Sequence, residues 1–378
     1  MIKVIADDKI PFLKGILESY CNIEYFPAKE ITNKVIKDAD ALIVRTRTLC
    51  NENLLKGTNV KFIATATIGY DHIDTDYCEK NGIRWTNAPG CNSGSVMQYI
   101  ASALAFLYLN CEIDLRKRTI GVIGVGNVGS KIVKLAEILG IRVLLNDPPL
   151  ARKHGVCGFV SLDTLLKESD IITIHTPLNI EGEDKTYHLF DNTTFNKMNK
   201  GSIFINTSRG EVVDTFALLE NILNRKISLS VIDVWENEPF CNTDLLNNVT
   251  IGTPHVAGYS QDGKANATIM SVDSLNSFFN LGINIKEIKL NLTKPIIDEL
   301  EINCTNKKEL KVICDAIMHT YNIKHDSDLL INNPVNFEKF RENYQIRREF
   351  NAFTLKLFKP NKSTVTKLKM LGFNVVEI

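Results

Sequence analysis

The sequence predicts an α/β chain with two doubly wound parallel-sheet domains and a small α+β module near its C-terminal end. Three observations predict it. Short, almost continuously apolar runs alternate with helix-compatible segments from the start to about residue 90, and again from Arg118 to about Tyr259. A glycine-rich turn joins a strand-like run to a helix-like run in the second of these regions. Beyond residue 285 the rhythm shifts and no glycine-rich loop follows.

The first region offers strands at "KVIA" (3–6), "IEYF" (23–26), "ALIV" (41–44), "KFIAT" (61–65) and "IRWT" (83–86). Phe12–Tyr20 and Ile31–Lys37 are the helix candidates between them. Next, "GCNSGSVMQYIASALAFLYLN" predicts a helix capped by Asn92, Ser93 or Ser95 and apolar on nearly all sides from Val96 to Leu109. Such a helix must be covered all round, by another domain or another subunit. The second region offers "TIGVIG" (119–124), "RVLLN" (142–146), "IITIHT" (171–176), "SIFINT" (202–207), "LSVID" (229–233) and "VTIG" (249–252). Asp262–Phe279 then predicts a long helix leading back to the first domain.

Composition narrows the function classes. Lys+Arg and Asp+Glu both number 44 in 378 residues, so no whole-chain charge argues for nucleic acid or for a membrane surface. The longest apolar run, Tyr99–Leu109, is too short to span a bilayer. The nine cysteines show no CxxC spacing, and the first residues lack the apolar core of a secretory leader. These features predict reduced thiols, no metal site and a cytoplasmic protein.

"RTIGVIGVGNVGSKIVKLAEILGIRVLLND" places Gly124-x-Gly126-x-x-Gly129 between a strand and a helix, which is the Rossmann dinucleotide context. Gly124 permits the tight turn, Gly126 lets the backbone approach a pyrophosphate, and Gly129 lets helix and sheet pack closely. The helix N-terminus near Asn127 and Val128 offers unpaired N–H donors to phosphate. Asp147, at the end of the next strand, suits the ribose hydroxyls and repels a 2′-phosphate, so NAD rather than NADP is expected. As a residue preceding Pro148 and Pro149 it could instead belong to a turn, and the cofactor reading is preferred. His175, Pro177, Ser208 and Asp233 also follow strands at the same carboxyl edge and complete the expected cofactor contacts.

Three loops after that fingerprint carry complementary chemistry. "INTSRGEVVD" holds Arg209, "VIDVWENEPF" holds Asp233, Glu236 and Glu238, and "GTPHVAGYS" holds His255. Hydride transfer from an alcohol needs a base for the hydroxyl proton and a cation for the carboxylate and developing carbonyl. Histidine and the arginine fork meet those needs. His72, His154, His188, His319 and His325 lack a comparable setting and read as structural or exposed.

With "TSRG", "DVWENEP" and "TPHVAG", the chain resembles the D-isomer-specific 2-hydroxyacid dehydrogenase family. The resemblance implies Arg209, Glu238 and His255 as the catalytic set, with Glu238, immediately before Pro239, preferred to Glu236. It implies two similar α/β domains with the active site in the cleft between them. Residues 1–92 and 259–284 are assigned to the substrate-binding domain, 93–258 to the NAD domain and 285–378 to a C-terminal domain. Within the family the likeness is greatest to a branch that acts on a small phosphorylated 2-hydroxy acid in vitamin B6 biosynthesis. "ADALIVRTRT", "KFIATATIGYDHID", "NAPGCNS", "FRENYQIRREF" and "LKMLGFNVV" carry it. That branch implies a homodimer formed through the C-terminal module. It also implies substrate contacts at Thr46, Thr67 and Tyr259, and NAD contacts at Asp147, Thr176 and Gly258. Thr46 stands where that branch usually has serine. Arg45 and Arg47 supply cations beside it for a phosphate, with a solvated basic edge as the other reading. Arg341, Arg347 and Arg348 are expected to form surface pairs, with reach into a neighbouring subunit as the alternative. A 3-phosphoglycerate dehydrogenase, which usually carries a serine-binding regulatory tail, and an NADH-sensing corepressor with disordered extensions are the competing readings.

Overall fold

The structure is a computed structural model and describes residues 1–155 and 157–378. The chain forms two compact units, Met1–Asn92 with Ser260–Thr293, and Ser93–Tyr259 with Lys294–Ile378.

In the first unit, β1 (Lys3–Asp7), β2 (Asn22–Phe26), β3 (Ala41–Val44), β4 (Phe62–Thr65) and β5 (Arg84–Thr86) follow the five predicted runs. They form a parallel sheet in the order β2-β1-β3-β4-β5. Alternate side chains serve opposite faces, as a pleat requires. Ile5, Leu42, Val44 and Ile63 join one buried cluster, while Val4, Ala6, Ile43 and Ala64 join another with Val272 and Leu275. Those last two lie on the long helix Gln261–Phe279, started by Ser260, whose side chain accepts from the Gly263 N–H.

The two helices expected at Phe12–Tyr20 and Ile31–Lys37 do not form; both stretches are turns. Phe12 and Gly15 sit at φ 62° and 90°, so the chain bends there while Leu13 and Leu17 still reach the core. Ile31, Thr32, Val35 and Ile36 are β-branched and favour a helix weakly. Their segment closes one helical turn, Ile36 N to Thr32 O at 3.1 Å, and goes no further.

In the second unit β6 (Thr119–Ile123), β7 (Arg142–Asn146), β8 (Ile171–Ile174), β9 (Ser202–Asn206), β10 (Ile227–Ile232) and β11 (Ile251–Gly252) form a parallel sheet. Its order, β11-β10-β9-β8-β6-β7, reverses between β6 and β8, the switch point where α/β sheets bind ligands beyond their carboxyl ends. Three further strands, β12 (Glu299–Asn303), β13 (Thr354–Phe358) and β14 (Asn374–Glu377), make a separate parallel sheet.

The predicted apolar helix spans Ser93–Asn110, and Tyr99, Ile100, Leu104 and Leu107 have no exposed surface. Its cover comes from this same chain. The helices Glu309–Thr320 and Ile323–Asn332 pack on it from the C-terminal segment, and Gly129–Leu139 packs on it from the sheet. Polar ties fix the register: Ser102 Oγ donates to Tyr321 O at 2.7 Å, and Gln98 Nε2 donates to Arg348 O at 2.8 Å. Among the described residues no helix is long and apolar enough to cross a membrane.

Candidate active site

Every strand of the six-stranded sheet runs the same way, so the loops after β6 to β11 share one edge. The glycine turn leaves β6 there. Gly124 has φ 83°, and an added Cβ would lie 2.7 Å from the His175 carbonyl oxygen. At Gly129 a Cβ would lie 2.0 Å from Gly124 O, so only glycine lets this helix start so close to the turn. Gly126 faces open space with no atom within 4 Å of such a Cβ, which leaves room for a pyrophosphate. The helix begins at Gly129 rather than near Asn127, and Val128 at its N-cap gives its first N–H groups no side-chain acceptor.

Asp147 fills the turn role that the sequence also allowed. Its Oδ1 caps the helix Pro148–His154 by accepting from Leu150 N at 2.9 Å, and its Oδ2 accepts from Val125 N at 2.8 Å. The carboxylate is thereby fixed against the glycine turn, with lone pairs left for hydroxyl donors. Thr176 Oγ1 is buried without a hydrogen-bond partner among the described residues, an orphan that a bound polar ligand would satisfy. His175 meets Thr173 Oγ1 at 2.9 Å and Thr207 Oγ1 at 3.4 Å, and burial pushes its imidazole down to about 3. It is neutral at physiological pH. Pro177 is exposed and its carbonyl accepts from Thr186 Oγ1 at 2.6 Å; Ser208 is buried and donates to Asn206 Oδ1 at 2.9 Å. The glycine turn, the fixed Asp147 carboxylate and the unmatched Thr176 hydroxyl thus stand at one sheet edge with chemistry that suits a dinucleotide.

The loops after β9, β10 and β11 bring the three chemical residues to the same edge. Glu238 Oε2 lies 2.7 Å from His255 Nδ1, and Glu238 Oε1 accepts from Trp235 N at 3.0 Å. Burial opposes ionisation of Glu238, but the hydrogen bond and charge of His255, the Trp235 N–H and the nearby Arg341 prevail and hold its carboxyl below the usual range. An ionised Glu238 accepts the Nδ1–H and leaves Nε2 for a second partner. Glu236 is engaged elsewhere, its oxygens meeting His188 Nε2 at 2.7 Å and Thr215 N at 2.8 Å. Geometry thus separates the two glutamates that the sequence set side by side.

Arg209 is half-buried and donates from Nη1 to Ser208 O at 2.8 Å; among the described residues no carboxylate pairs with it. Next to it, Gly210 packs so tightly that a Cβ would lie 2.0 Å from the Trp235 carbonyl carbon. That contact ties the Arg209 loop to the one holding Glu238.

His255 has φ 55°, a left-handed backbone that costs a non-glycine residue of order 1–3 kcal/mol and must be held by its surroundings. Asp233 does much of the holding. It is 1% exposed, and its carboxylate accepts from Thr253 Oγ1 at 2.6 Å, Val256 N at 2.8 Å and Ala257 N at 2.9 Å. Gly258 and Tyr259 follow, half-buried, and Arg341 stands 5.8 Å from the Tyr259 ring centroid.

In the first unit, Arg45 and Thr46 leave the carboxyl end of β3, and Thr67 follows β4. Arg45 is tied to the fully buried Asp7, with Nε and Nη2 each 3.2 Å from a carboxylate oxygen. Part of its charge is therefore already matched. Thr46 is exposed, and Thr67 Oγ1 donates to Gly69 O at 2.9 Å.

The expectation of surface pairing fails for Arg347. It is 4% exposed and its Nη2 donates to Ala257 O at 2.5 Å, two residues past His255. Tyr99, Asp326 and Tyr344 join the same polar cluster, and no motif in the sequence marks them. The signal available was "FRENYQIRREF", where cations and aromatics alternate without any motif to give them a purpose.

Residues 108–257 match the D-isomer specific 2-hydroxyacid dehydrogenase NAD binding domain, and residues 292–372 match a domain of unknown function. An erythronate-4-phosphate dehydrogenase of Bacteroides thetaiotaomicron is 50% identical over 355 residues, 94% of this chain and 99% of that one. One from Klebsiella pneumoniae is 36% identical over 378 residues, covering 99% of each chain. Among solved structures, D-lactate dehydrogenase from Aquifex aeolicus, complexed with NAD and lactic acid, is similar with a TM-score of 0.59 and 28% identity. That match covers 74% of this chain and 95% of the other. The chain belongs to the erythronate-4-phosphate dehydrogenase family, whose members are NAD-dependent enzymes of the D-isomer specific 2-hydroxyacid dehydrogenase group.

Proposed function

We propose that the chain oxidises 4-phospho-D-erythronate to (R)-3-hydroxy-2-oxo-4-phosphooxybutanoate, a step toward pyridoxal 5′-phosphate. The observation that carries the reading is the 2.7 Å hydrogen bond between Glu238 and His255 on the sheet edge that also presents Arg209. The glycine turn and Asp147 would hold NAD, which would supply the hydride acceptor for the substrate's C2. His255 takes the hydroxyl proton at Nε2, while Glu238 holds the ring through Nδ1 and stabilises the imidazolium that forms. Arg209 binds the carboxylate and the oxygen that becomes the carbonyl. Asp233 contacts the cofactor and also braces the His255 loop; His175, Pro177, Ser208 and Gly258 complete the cofactor wall. Thr46, Thr67 and Tyr259 bind substrate, and Arg45 lends its unmatched charge to the phosphate.

The enzyme works in the cytoplasm as a homodimer. Ile296, Ile297, Val335, Ile346 and Met370, all in the C-terminal segment, expose more than half of their surface, an apolar supply that supports pairing there. Sedimentation would read the dimer directly. For the reaction, NADH formation at 340 nm is followed with 4-phospho-D-erythronate, 3-phosphoglycerate and D-lactate in parallel, with a 2-oxo acid present to reoxidise bound NADH. Turnover of the first alone is expected. Preference for 3-phosphoglycerate would overturn the substrate assignment, and NAD binding without turnover of any of them would favour a sensor.

A further inference from the structure

The loop that carries His255 is held from two sides, and only one belongs to the dinucleotide-binding sheet. From within, Asp233 accepts the Thr253 hydroxyl and the N–H groups of Val256 and Ala257, and its own carbonyl accepts from His255 N at 2.7 Å. From the other side comes Arg347, whose Nη2 donates to Ala257 O at 2.5 Å. The two peptide groups flanking the Ala257 Cα thus lie between a buried anion at the N–H and a buried cation at the C=O.

Arg347 is itself built into place. Its guanidinium lies 4.5 Å from the Tyr321 ring centroid and 5.9 Å from that of Tyr344. Both tyrosine hydroxyls donate to Asp326, at 2.8 Å and 2.6 Å, and Asp326 is 4% exposed. A second strut, Tyr99, meets Thr253 Oγ1 at 2.6 Å. Burying this much charge and hydroxyl is costly unless geometry needs it, because apolar side chains of similar volume would fill the space at no desolvation penalty. What the cluster supplies that they would not is a directional grip on one carbonyl, two residues from a histidine in a left-handed backbone.

We propose that Arg347 is a positioning residue: through the Ala257 carbonyl, the C-terminal segment holds the Thr253–Ala257 loop in the conformation that presents His255. The proposal rests on the acid–base reading of His255. It gives the C-terminal segment a part in the chemistry of its own chain, separate from any part in pairing.

The test uses full-length protein with NAD, comparing R347M, R347K, Y344F and H255A. A misplaced base loses rate, so R347M should lower kcat about a hundredfold. Its KM for NAD should stay within about threefold, because the glycine turn and Asp147 are untouched and only Gly258 and Asp233 of the proposed cofactor contacts adjoin the released loop. Guanidinium ion added to R347M should restore about tenfold of the lost rate, and should do nothing for H255A. Y344F, which removes one hydroxyl, should lower kcat about fivefold with unchanged folding. A kcat for folded R347M within about twofold of the parent would overturn the proposal. Should R347M fail to fold, R347K and Y344F decide: reduced kcat in both at an unchanged melting temperature supports the brace, and unchanged kcat in both overturns it. H255A turning over at the parental rate would overturn the acid–base reading and the proposal with it. H255A inactive beside a fully active R347M would overturn the proposal alone.

Discussion

The carboxyl edges of the two parallel sheets are held very differently. After β3 of the first sheet Thr46 is exposed, and Arg45 is steadied by one buried carboxylate. After β11 of the second sheet nearly every polar group of Thr253–Ala257 has a buried partner. A proton-transfer group loses rate steeply when displaced, whereas a substrate contact tolerates more play. On the roles proposed above, the difference teaches that this chain gathers its buried polar groups around His255, the residue that must not move.

Breaking the braced edge at its centre has the largest expected effect. His255→Ala should lower kcat by about a hundred- to ten-thousandfold in the NADH assay, with NAD binding retained by fluorescence titration. Glu238→Gln keeps the shape but loses the charge on Nδ1. A charge-assisted hydrogen bond of this kind is worth about 1.5–3 kcal/mol, which corresponds to a loss of roughly ten- to a hundredfold in kcat. On the open edge, Thr46→Ala should raise the substrate KM by about three- to tenfold with little change in kcat, the cost of one hydrogen bond. Equal losses of kcat from Thr46→Ala and Glu238→Gln would erase the contrast between the edges.

The smallest effect is on stability. His175 is driven down to about 3 from an ordinary 6.5, so the unfolded chain takes up its proton first as the pH falls. Stability contributed by its neutral form is present above 6.5 and is lost progressively toward 3. Urea midpoints at about pH 7.5 and pH 5 should therefore drop more for the parent than for His175→Asn. An identical drop would place the acid sensitivity elsewhere.

Much of this was legible in the sequence because the signals are local. Eleven apolar runs predicted eleven strands, since a strand buried on both faces must be apolar throughout. Gly124 and Gly129 announced the turn because their demands are local, a left-handed backbone at the first and close contact with Gly124 O at the second. The two helices misread at Phe12–Tyr20 and Ile31–Lys37 show the limit: apolar spacing survived there, but backbone bends at Phe12 and Gly15 did not show in it. Arg347 lay further beyond reach. Its partner Ala257 is 90 residues away and takes part through its backbone, which leaves no mark on residue identity. Glu236 and Glu238 are alike in kind, and only the family resemblance, through the place of Glu238 before Pro239, preferred one; in the structure His188 reaches the first and His255 the second.

A single-turnover experiment, with enzyme and NAD in excess over 4-phospho-D-erythronate and NADH read by absorbance, tests most directly whether the chain oxidises this substrate with His255 as its base. NADH should form in proportion to substrate with the parent protein and not with His255→Ala. No NADH from the parent, or equal formation by both proteins, would contradict it.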